Sequence, residues 1–529
     1  MYEIILVIKI LMISLKAIAL DCSSSHNTIE DLACETKPAI LKAMTPSIEI
    51  PRCTENAKNP IVLTDTSVTT GVFVSCLEDG SVSCLNIARS LAVNGGGIKV
   101  NILLKKSELS HFQEEISEVI KMAGPGRLNI LPMSADSIPF FIRDIGVVRA
   151  STKGAEIIGN PYSMTGSNGY ITAREISEKC GIGFDTSYQH INEFQFEKSR
   201  AKRNPLDSLR SVFSDPIGKS FDEMQKHITT EQGSDSWAIR RLWPNEISQG
   251  PLMGGNFLGL PGGILAVGES DSRSVDPRII KYFEKNQKVV KINIPSLNVG
   301  HIDEVFKVIK TSGGCGYTII RASPEAAKSF LKSRPASEKF GDISGLKDKI
   351  HFSISKGSIQ YEAHQNFIKN SNNETEAAFL KATRRNLDVN EVLNDSELMK
   401  YWDKTQSEIE YGTQQIIQEL NQFNKKECIP KIIDLPTFFT IDGIPKIANP
   451  VNGLFLNGRY FRSNVVKSIT SKSLQQPVTR DYKELDKFID ARLKSIAPEG
   501  IFSIETDYYD NGGGNLHCAT LNIYAPCMQ

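Results

Sequence analysis

The sequence predicts a mixed α/β fold assembled from repeated strand–helix–strand modules. Short β-branched runs alternate with stretches of helical apolar spacing, and the connections between them are short. No Gly-x-Gly-x-x-Gly follows any of the strands, which argues against a dinucleotide or P-loop fold. A chain of 529 residues can bury a large core, and at ~150 residues per domain it has room for about two to four units. Basic and acidic residues balance at 61 each. Net charge therefore gives no reason to expect nucleic acid or an anionic membrane as partner.

The first twenty residues stand apart. Ile4–Ile8 and Ile10–Ile13 are apolar, and Ala17-Ile18-Ala19 fits the small-x-small rule for signal cleavage. Lys9 and Lys16 break the run, which is too short for a membrane span. Residues 1–20 read as a secretory signal peptide, and 21–60, polar and proline-dotted, as an N-terminal arm. From 61 the pattern becomes regular. Strands are expected at Val72–Val74, Ile98–Leu104 and Leu128–Leu131, with helices at Cys84–Val93 and Glu108–Met122. Residues 175–240 are polar and basic around Lys198–Arg203, and read as an insertion. Regularity resumes with strand Gly263–Val267, helix Pro277–Asn286 and strand Val289–Ile294, then helix Asp303–Lys310 and strand Tyr317–Arg321. Ser323 caps a helix with Pro324 in its first turn. Residues 358–424 form helix, Ile432–Phe439 and Leu454–Leu456 strand, Tyr482–Leu493 helix and Ile501–Glu505 strand.

Ten cysteines are present, without a Cys-x-x-Cys pair or a His/Cys cluster that suggests zinc. Cys22, Cys34 and Cys53 crowd the start of the expected mature chain, as in a disulfide-stapled segment of an oxidising compartment. Asn373 and Asn394 head glycosylation acceptor sequences.

Four stretches carry chemistry. Gly512–Thr520 (GGGNLHCAT) sets a cysteine after three glycines, where bare backbone can approach a ligand. An extended run from Asn515 to Ile523 turns Cys518 and Thr520 one way and His517 the other, so His517 is not expected to act as base for Cys518. Cys518 is either a presented nucleophile or a half-cystine. In Gly300–Glu304 (GHIDE), His301 and Asp303 share a side in extended chain, unless they simply open an acidic helix start with Lys307 and Lys310 towards its other end. In Phe140–Val148 (FFIRDIGVV), the carboxylate of Asp144 lies in an apolar run and needs a partner. That partner is either Arg143 or a cationic ligand on which Phe141 stacks. Met253–Phe257 (MGGNF) adds a glycine pair followed by Asn256. Together these offer a thiol, an imidazole, two carboxylates and an aromatic ring, the complement of a flat guanidinium.

GHIDE resembles the Gly-His-Val-Asp-Glu of the protein-arginine deiminase branch of the guanidino-group-modifying superfamily. NLHCAT resembles its Val-His-Cys-Gly-Thr and the Gly-Gly-Gly-Asn-Ile-His-Cys of agmatine deiminases. FIRDIG resembles Trp-x-Arg-Asp-x-Gly, with Phe141 in place of tryptophan. Tyr317–Pro324, Ile432–Phe438 and Asn449–Gly458 (NPVNGLFLNG) are similar to intervening family segments, so the resemblance runs from about 61 to 527 with 175–240 unmatched. It implies a five-bladed αβ-propeller (pentein) catalytic domain over 61–529. It also implies Cys518 as nucleophile, His301 as general acid and base, and Asp144 and Asp303 as the guanidinium clamp. The implied reaction turns peptidyl-arginine into peptidyl-citrulline, with arginine-containing proteins or peptides as partners and no cofactor; the alternatives are a deiminase or amidinotransferase acting on free arginine or agmatine, or an inactive secreted binding protein on the same fold. Phe141 and Asn256 are candidates for substrate binding. Of the adjacent Arg240 and Arg241, Arg241 is the candidate for holding the substrate backbone. The vertebrate enzymes surround the first aspartate with calcium ligands, whereas Asp144 has Arg143, Ile145 and Gly146; calcium is not expected to be required. Asp222, in Asp222-Glu223-Met224, resembles part of a vertebrate Gln-Asp-Glu-Met and is the rival to Asp144.

Overall fold

The computed structural model describes residues 61–62, 68–76, 81–134, 138–139, 141–151, 154–159, 168–180, 182–185, 254–269, 275, 277–296, 301–311, 315–338, 388–424, 427–439, 445–446, 449–464, 468–469, 478–479, 483–506 and 515–524. Residues 1–60, read from the sequence as a signal peptide and an arm, and 186–240 with Asp222 and Arg240, together with Arg241, lie outside them.

After β1 (Ile61–Val62), strands β2 (Thr69–Ser75), β3 (Lys99–Lys105) and β4 (Leu128–Met133) run parallel, joined by helices α1 (Ser81–Asn94) and α2 (Gln113–Ala123). The interior of β3 is buried throughout. Val100, Ile102 and Leu104 pack on the helix side, and Leu103 on the other. This is the near-continuous apolar run of a strand covered on both faces. The last strand of the chain, Thr520–Tyr524, lies antiparallel beside β2, so both ends of the domain share one sheet.

Four more sheets follow, each repeating an antiparallel pair, a helical crossover and a strand parallel to the second. In the first, β5 (Gly146–Ser151) and β6 (Gly154–Gly159) precede α3 (Asn168–Cys180) and β7 (Gly183–Asp185), with β1 on the outer edge of β5. Next come β8 (Phe257–Leu260), β9 (Ile264–Glu269), α4 (Pro277–Glu284) and β10 (Val289–Asn293). Then β11 (Phe306–Lys310) and β12 (Tyr317–Ser323) lead through α5 (Pro324–Lys332), α6 (Val389–Leu393) and α7 (Ser396–Asn424) to β13 (Lys431–Pro436). A two-strand ribbon follows, β14 (Phe438–Phe439) and β15 (Pro445–Lys446). The last unit has β16 (Leu454–Leu456), β17 (Arg459–Ser463), a ribbon of β18 (Ser468–Ile469) and β19 (Val478–Thr479), α8 (Lys483–Leu493) and β20 (Gly500–Ile504). The strand Thr520–Tyr524 is β21. All sheets are open, and the molecule is mixed α/β.

Local chemistry explains the joints. Ser323 caps α5, its side chain accepting from Ala326 N–H at 3.0 Å, a contact worth about 1 kcal/mol. Trp402 of α7 is fully buried, and its indole N–H donates to the Phe439 carbonyl at 2.7 Å. Arg462 of β17, also buried, is tied to α8 through Asp486 and through Asp490 at 2.8 Å. A buried guanidinium needs such partners. Disulfides join Cys76 to Cys84, across the β2–α1 connection, and Cys315 to Cys428, 113 residues apart.

Three sequence expectations are corrected. Residues 306–310 form strand β11, not the end of a helix begun at Asp303. Phe306, Val308 and Ile309 are fully buried and pair against β12, where β-branched residues fit better than in a helix. The insertion does not begin at 175. Ala173, Ile176 and Cys180 bury one face of α3, and β7 completes its sheet as far as Asp185. Asn515–Ala519 is not extended: it forms a tight turn, with Ala519 N–H donating to the Asn515 carbonyl at 3.0 Å, and β21 starts only at Thr520.

Candidate active site

A short turn precedes the first strand of each of the five repeated sheets. These are Ile142–Ile145 before β5, Gly254–Asn256 before β8, Ile302–Glu304 before β11, Pro450–Asn452 before β16 and Leu516–Ala519 before β21. They are linked turn to turn into a closed ring. Arg143 N–H donates to the Cys518 carbonyl at 3.1 Å. Gly254 packs on the carbonyls of Arg143 and Gly146 too closely for any Cβ. Ile302 N–H donates to Asn256 Oδ1 at 3.2 Å. Asn449 Nδ2 donates to the Glu304 carbonyl at 2.7 Å. His517 N–H donates to the Asn452 carbonyl at 2.9 Å, which closes the circuit.

The ring gathers residues far apart in sequence. Cys518, Asp144, Asp303 and His301 are 4%, 5%, 1% and 5% exposed, so all four are desolvated before any ligand arrives. Asp144 and Asp303 lie close enough for the charge of one to raise the other's pKa, and both act on Cys518. Gly255 faces His301 and Asp303: a Cβ there would sit 3.0 Å from both Asp303 Oδ1 and His301 Nδ1. Cys518 is a free thiol, not a half-cystine. Phe141 is half-buried at the start of the first turn, its carbonyl accepting from Asp144 N–H at 3.1 Å.

The electrostatics follow from burial and like charge. Burial, then Asp303, pushes the Asp144 carboxyl from 3.8 up to about 8, with Arg143 opposing. Arg143 thus acts on Asp144 as a counter-charge without bringing it back to the ordinary carboxylate range. Burial together with Asp303, Glu304 and Asp144 holds the Cys518 thiol well above its usual value, against a backbone hydrogen bond from Asn515. His517 is held well below its usual value by burial and by the cations Lys307 and Arg143. It stays neutral despite Asp303 at 2.6 Å, and in that form its Nδ1–H donates to Asp303 Oδ2.

Two residues of the ring carry roles that sequence reasoning did not give them. His517, set aside as facing away in an extended strand, instead braces Asp303, because 516–519 is a turn and period-two alternation does not apply. Asn452 holds Cys518 through both ends of its side-chain amide. Asn256 has a bracing part too: its Oδ1 accepts from Ile302 and its Nδ2 donates to the Gly268 carbonyl at 2.8 Å. Asp144 is flanked in the chain by the cation Arg143 and by Ile145, which is apolar and fully buried. Among the described residues no helix is long and apolar enough to cross a membrane.

No curated protein matches the chain. Among solved structures, the agmatine deiminase of C. jejuni is similar at 11% identity and a TM-score of 0.42, covering 89% of this chain and 99% of its own. The agmatine deiminase of Enterococcus faecalis is similar at 11% identity and a TM-score of 0.42, covering 90% and 100%. The family profile described as protein-arginine deiminase (PAD) matches residues 263–526, a span that holds His301, Asp303 and Cys518 in motif order. Through that span the chain belongs to the protein-arginine deiminase family.

Proposed function

We propose that the protein is a secreted protein-arginine deiminase that works without calcium and whose five repeated sheets are the blades of an αβ-propeller. The observation that supports the chemistry is the ring: a free cysteine with two buried carboxylates and a histidine, on turns contributed by separate sheets. Two acids flanking a thiol suit a planar cation and would repel an anion. The propeller reading rests on the fivefold recurrence of one strand pattern and on the linked turns. Secretion rests on the N-terminal sequence, and the Cys76–Cys84 and Cys315–Cys428 disulfides agree with an oxidising compartment.

The Cys518 thiolate attacks the central carbon of the guanidinium while Asp144 and Asp303 hold its N–H groups. The C–N bond breaks and ammonia leaves with a proton from His301, giving a covalent thiouronium. His301 then takes a proton from water, whose oxygen adds to the same carbon. The C–S bond breaks, sulfur recovers its electron pair, and the remaining O–H proton leaves as the C=O forms and is taken up by the released ammonia. One arginine side chain and one water give one ureido group and one ammonium ion.

The test incubates purified protein with a blocked arginine ester, free arginine and agmatine, each with chelator or calcium, and measures ureido product and ammonia. Turnover of the blocked ester in chelator, abolished by Cys518→Ser with the fold unchanged, is the expected result. Preference for free arginine or agmatine overturns the peptidyl substrate. Strict calcium dependence overturns metal independence.

A further inference from the structure

Asn452 is fully buried at the end of the turn Pro450–Asn452. Its carbonyl accepts from His517 N–H at 2.9 Å, its Oδ1 accepts from Cys518 N–H at 3.3 Å, and its Nδ2 donates to Cys518 Sγ at 3.3 Å. Asn256, which also ends the turn ahead of its sheet, provides a control within the molecule. Its Oδ1 likewise accepts a main-chain N–H of the next turn, but its Nδ2 goes to a carbonyl of β9. Bracing the neighbouring turn therefore needs only the acceptor end of the amide. The donor end of Asn452 is spent on sulfur.

We propose that Asn452 is a catalytic residue, an N–H donor that stabilises the anionic sulfur of Cys518. The proposal rests on Cys518 as the nucleophile. The carboxylates of Asp144, Asp303 and Glu304, from two other turns, oppose its ionisation. The neighbouring His517 is neutral, and Arg143 reaches Cys518 through its main-chain N–H. Alongside the Asn515 backbone bond, the Asn452 amide favours S⁻ by donating to it directly. It acts twice. It stabilises the anion left when the thiol gives up its proton, before the sulfur pair forms the C–S bond. It does so again when that bond breaks and the pair returns to sulfur on release of the ureido product. In the thiouronium between those steps sulfur carries no negative charge and the hydrogen bond is weak, so the contribution falls on the transition states.

The experiment measures the pH dependence of iodoacetamide alkylation at Cys518, read by mass spectrometry, in the wild type, Asn452→Ala and the isosteric Asn452→Asp. Buried Cys180 is the internal control. The alkylation midpoint is expected to rise by about one pH unit in Asn452→Ala, the loss of one hydrogen bond to a charged group, and further in Asn452→Asp. The kcat is expected to fall by about tenfold with KM little changed. Asn452→Asp keeps the shape and the acceptor oxygen, so it carries the test if Asn452→Ala does not fold. An unmoved midpoint in a folded variant overturns the proposal and leaves Asn452 as a brace. Alkylation needs no turnover, so a nucleophile other than Cys518 shows up separately, as full activity in Cys518→Ser.

Discussion

Replacing Asp144 by asparagine should make the folded protein more stable, and more so as pH rises. In the unfolded chain the carboxyl ionises near 3.8, but burial and Asp303 push it to about 8 in the fold. Between those values the folded state keeps a proton that the unfolded state has lost. Folding therefore takes up a proton, and stability falls as pH increases, by about 1.4 kcal/mol per pH unit. Above about 8 both states are ionised and the penalty levels off, at about 6 kcal/mol in total. Asparagine has nearly the same shape and never ionises. The advantage of Asp144→Asn over the wild type should grow by about 4 kcal/mol between pH 5 and pH 8. For a chain of 529 residues, an unfolding entropy of about 2 cal/mol/K per residue makes that about 4 °C in melting temperature. Differential scanning fluorimetry of both proteins across this range measures it. A melting difference that does not change with pH, or a variant less stable than the wild type at pH 8, refutes the claim that this carboxyl is a buried, proton-holding group.

Three further outcomes follow from the same geometry. With Asp144 as the proposed clamp for the cation, KM for a guanidinium substrate should fall as pH rises towards about 8 and flatten above it, following the ionisation of that carboxyl; KM profiles from pH 6 to 9 check this, and Asp144→Asn should lose the slope. Gly255→Ala puts a methyl carbon 3.0 Å from Asp303 Oδ1 and His301 Nδ1, and should cut kcat by about tenfold or more through misalignment with melting nearly unchanged. His517→Ala removes the donor 2.6 Å from Asp303 Oδ2; loss of a hydrogen bond to a charged group should raise KM by about tenfold or more, with partial rescue by His517→Gln, read by steady-state kinetics beside circular dichroism.

Much of this was legible in the sequence wherever local pattern decides local structure. The runs at β3, β4, β9 and β12 read as strands because both their faces are covered, and Ser323-Pro324 announced the start of α5. Pattern failed where tertiary pairing outweighs propensity. Residues 306–310 carry two lysines and mimic the end of an amphipathic helix, yet Lys307 is buried beside His517 and the segment is a strand. The turn at Leu516–Ala519 hid for a related reason: besides its own backbone bonds it is held by Asn452, which is distant in sequence. A usable signal was present all the same. Arg143-Asp144, Gly255-Asn256, Ile302-Asp303, Val451-Asn452 and His517-Cys518 each set a polar or reactive residue just ahead of an apolar strand. That fivefold repeat points to Asn452 by its position before any coordinates are known.

The charges of the ring explain why it would wait for a cation. Asp144, Asp303 and Glu304 act on Cys518, while Lys307 and Arg143 act on His517 from the same cluster. If every acid were ionised the three carboxylates would outnumber the two cations, and a thiolate would add a second uncompensated charge. Burial and the neighbouring carboxylates relieve this by favouring the protonated forms of Asp144 and of the thiol. A guanidinium entering between the acids supplies the missing positive charge. At about 4 Å and an effective dielectric of about 20, one such charge is worth about 4 kcal/mol, enough to move the thiol down by about three pH units. On the deiminase reading the substrate is thus what arms the nucleophile, and a neutral compound of the same shape leaves it protonated. The ureido product is neutral as well. Hydrolysis removes the charge that held the substrate, Asp144 and Cys518 recover their protons, and the product has no electrostatic reason to stay.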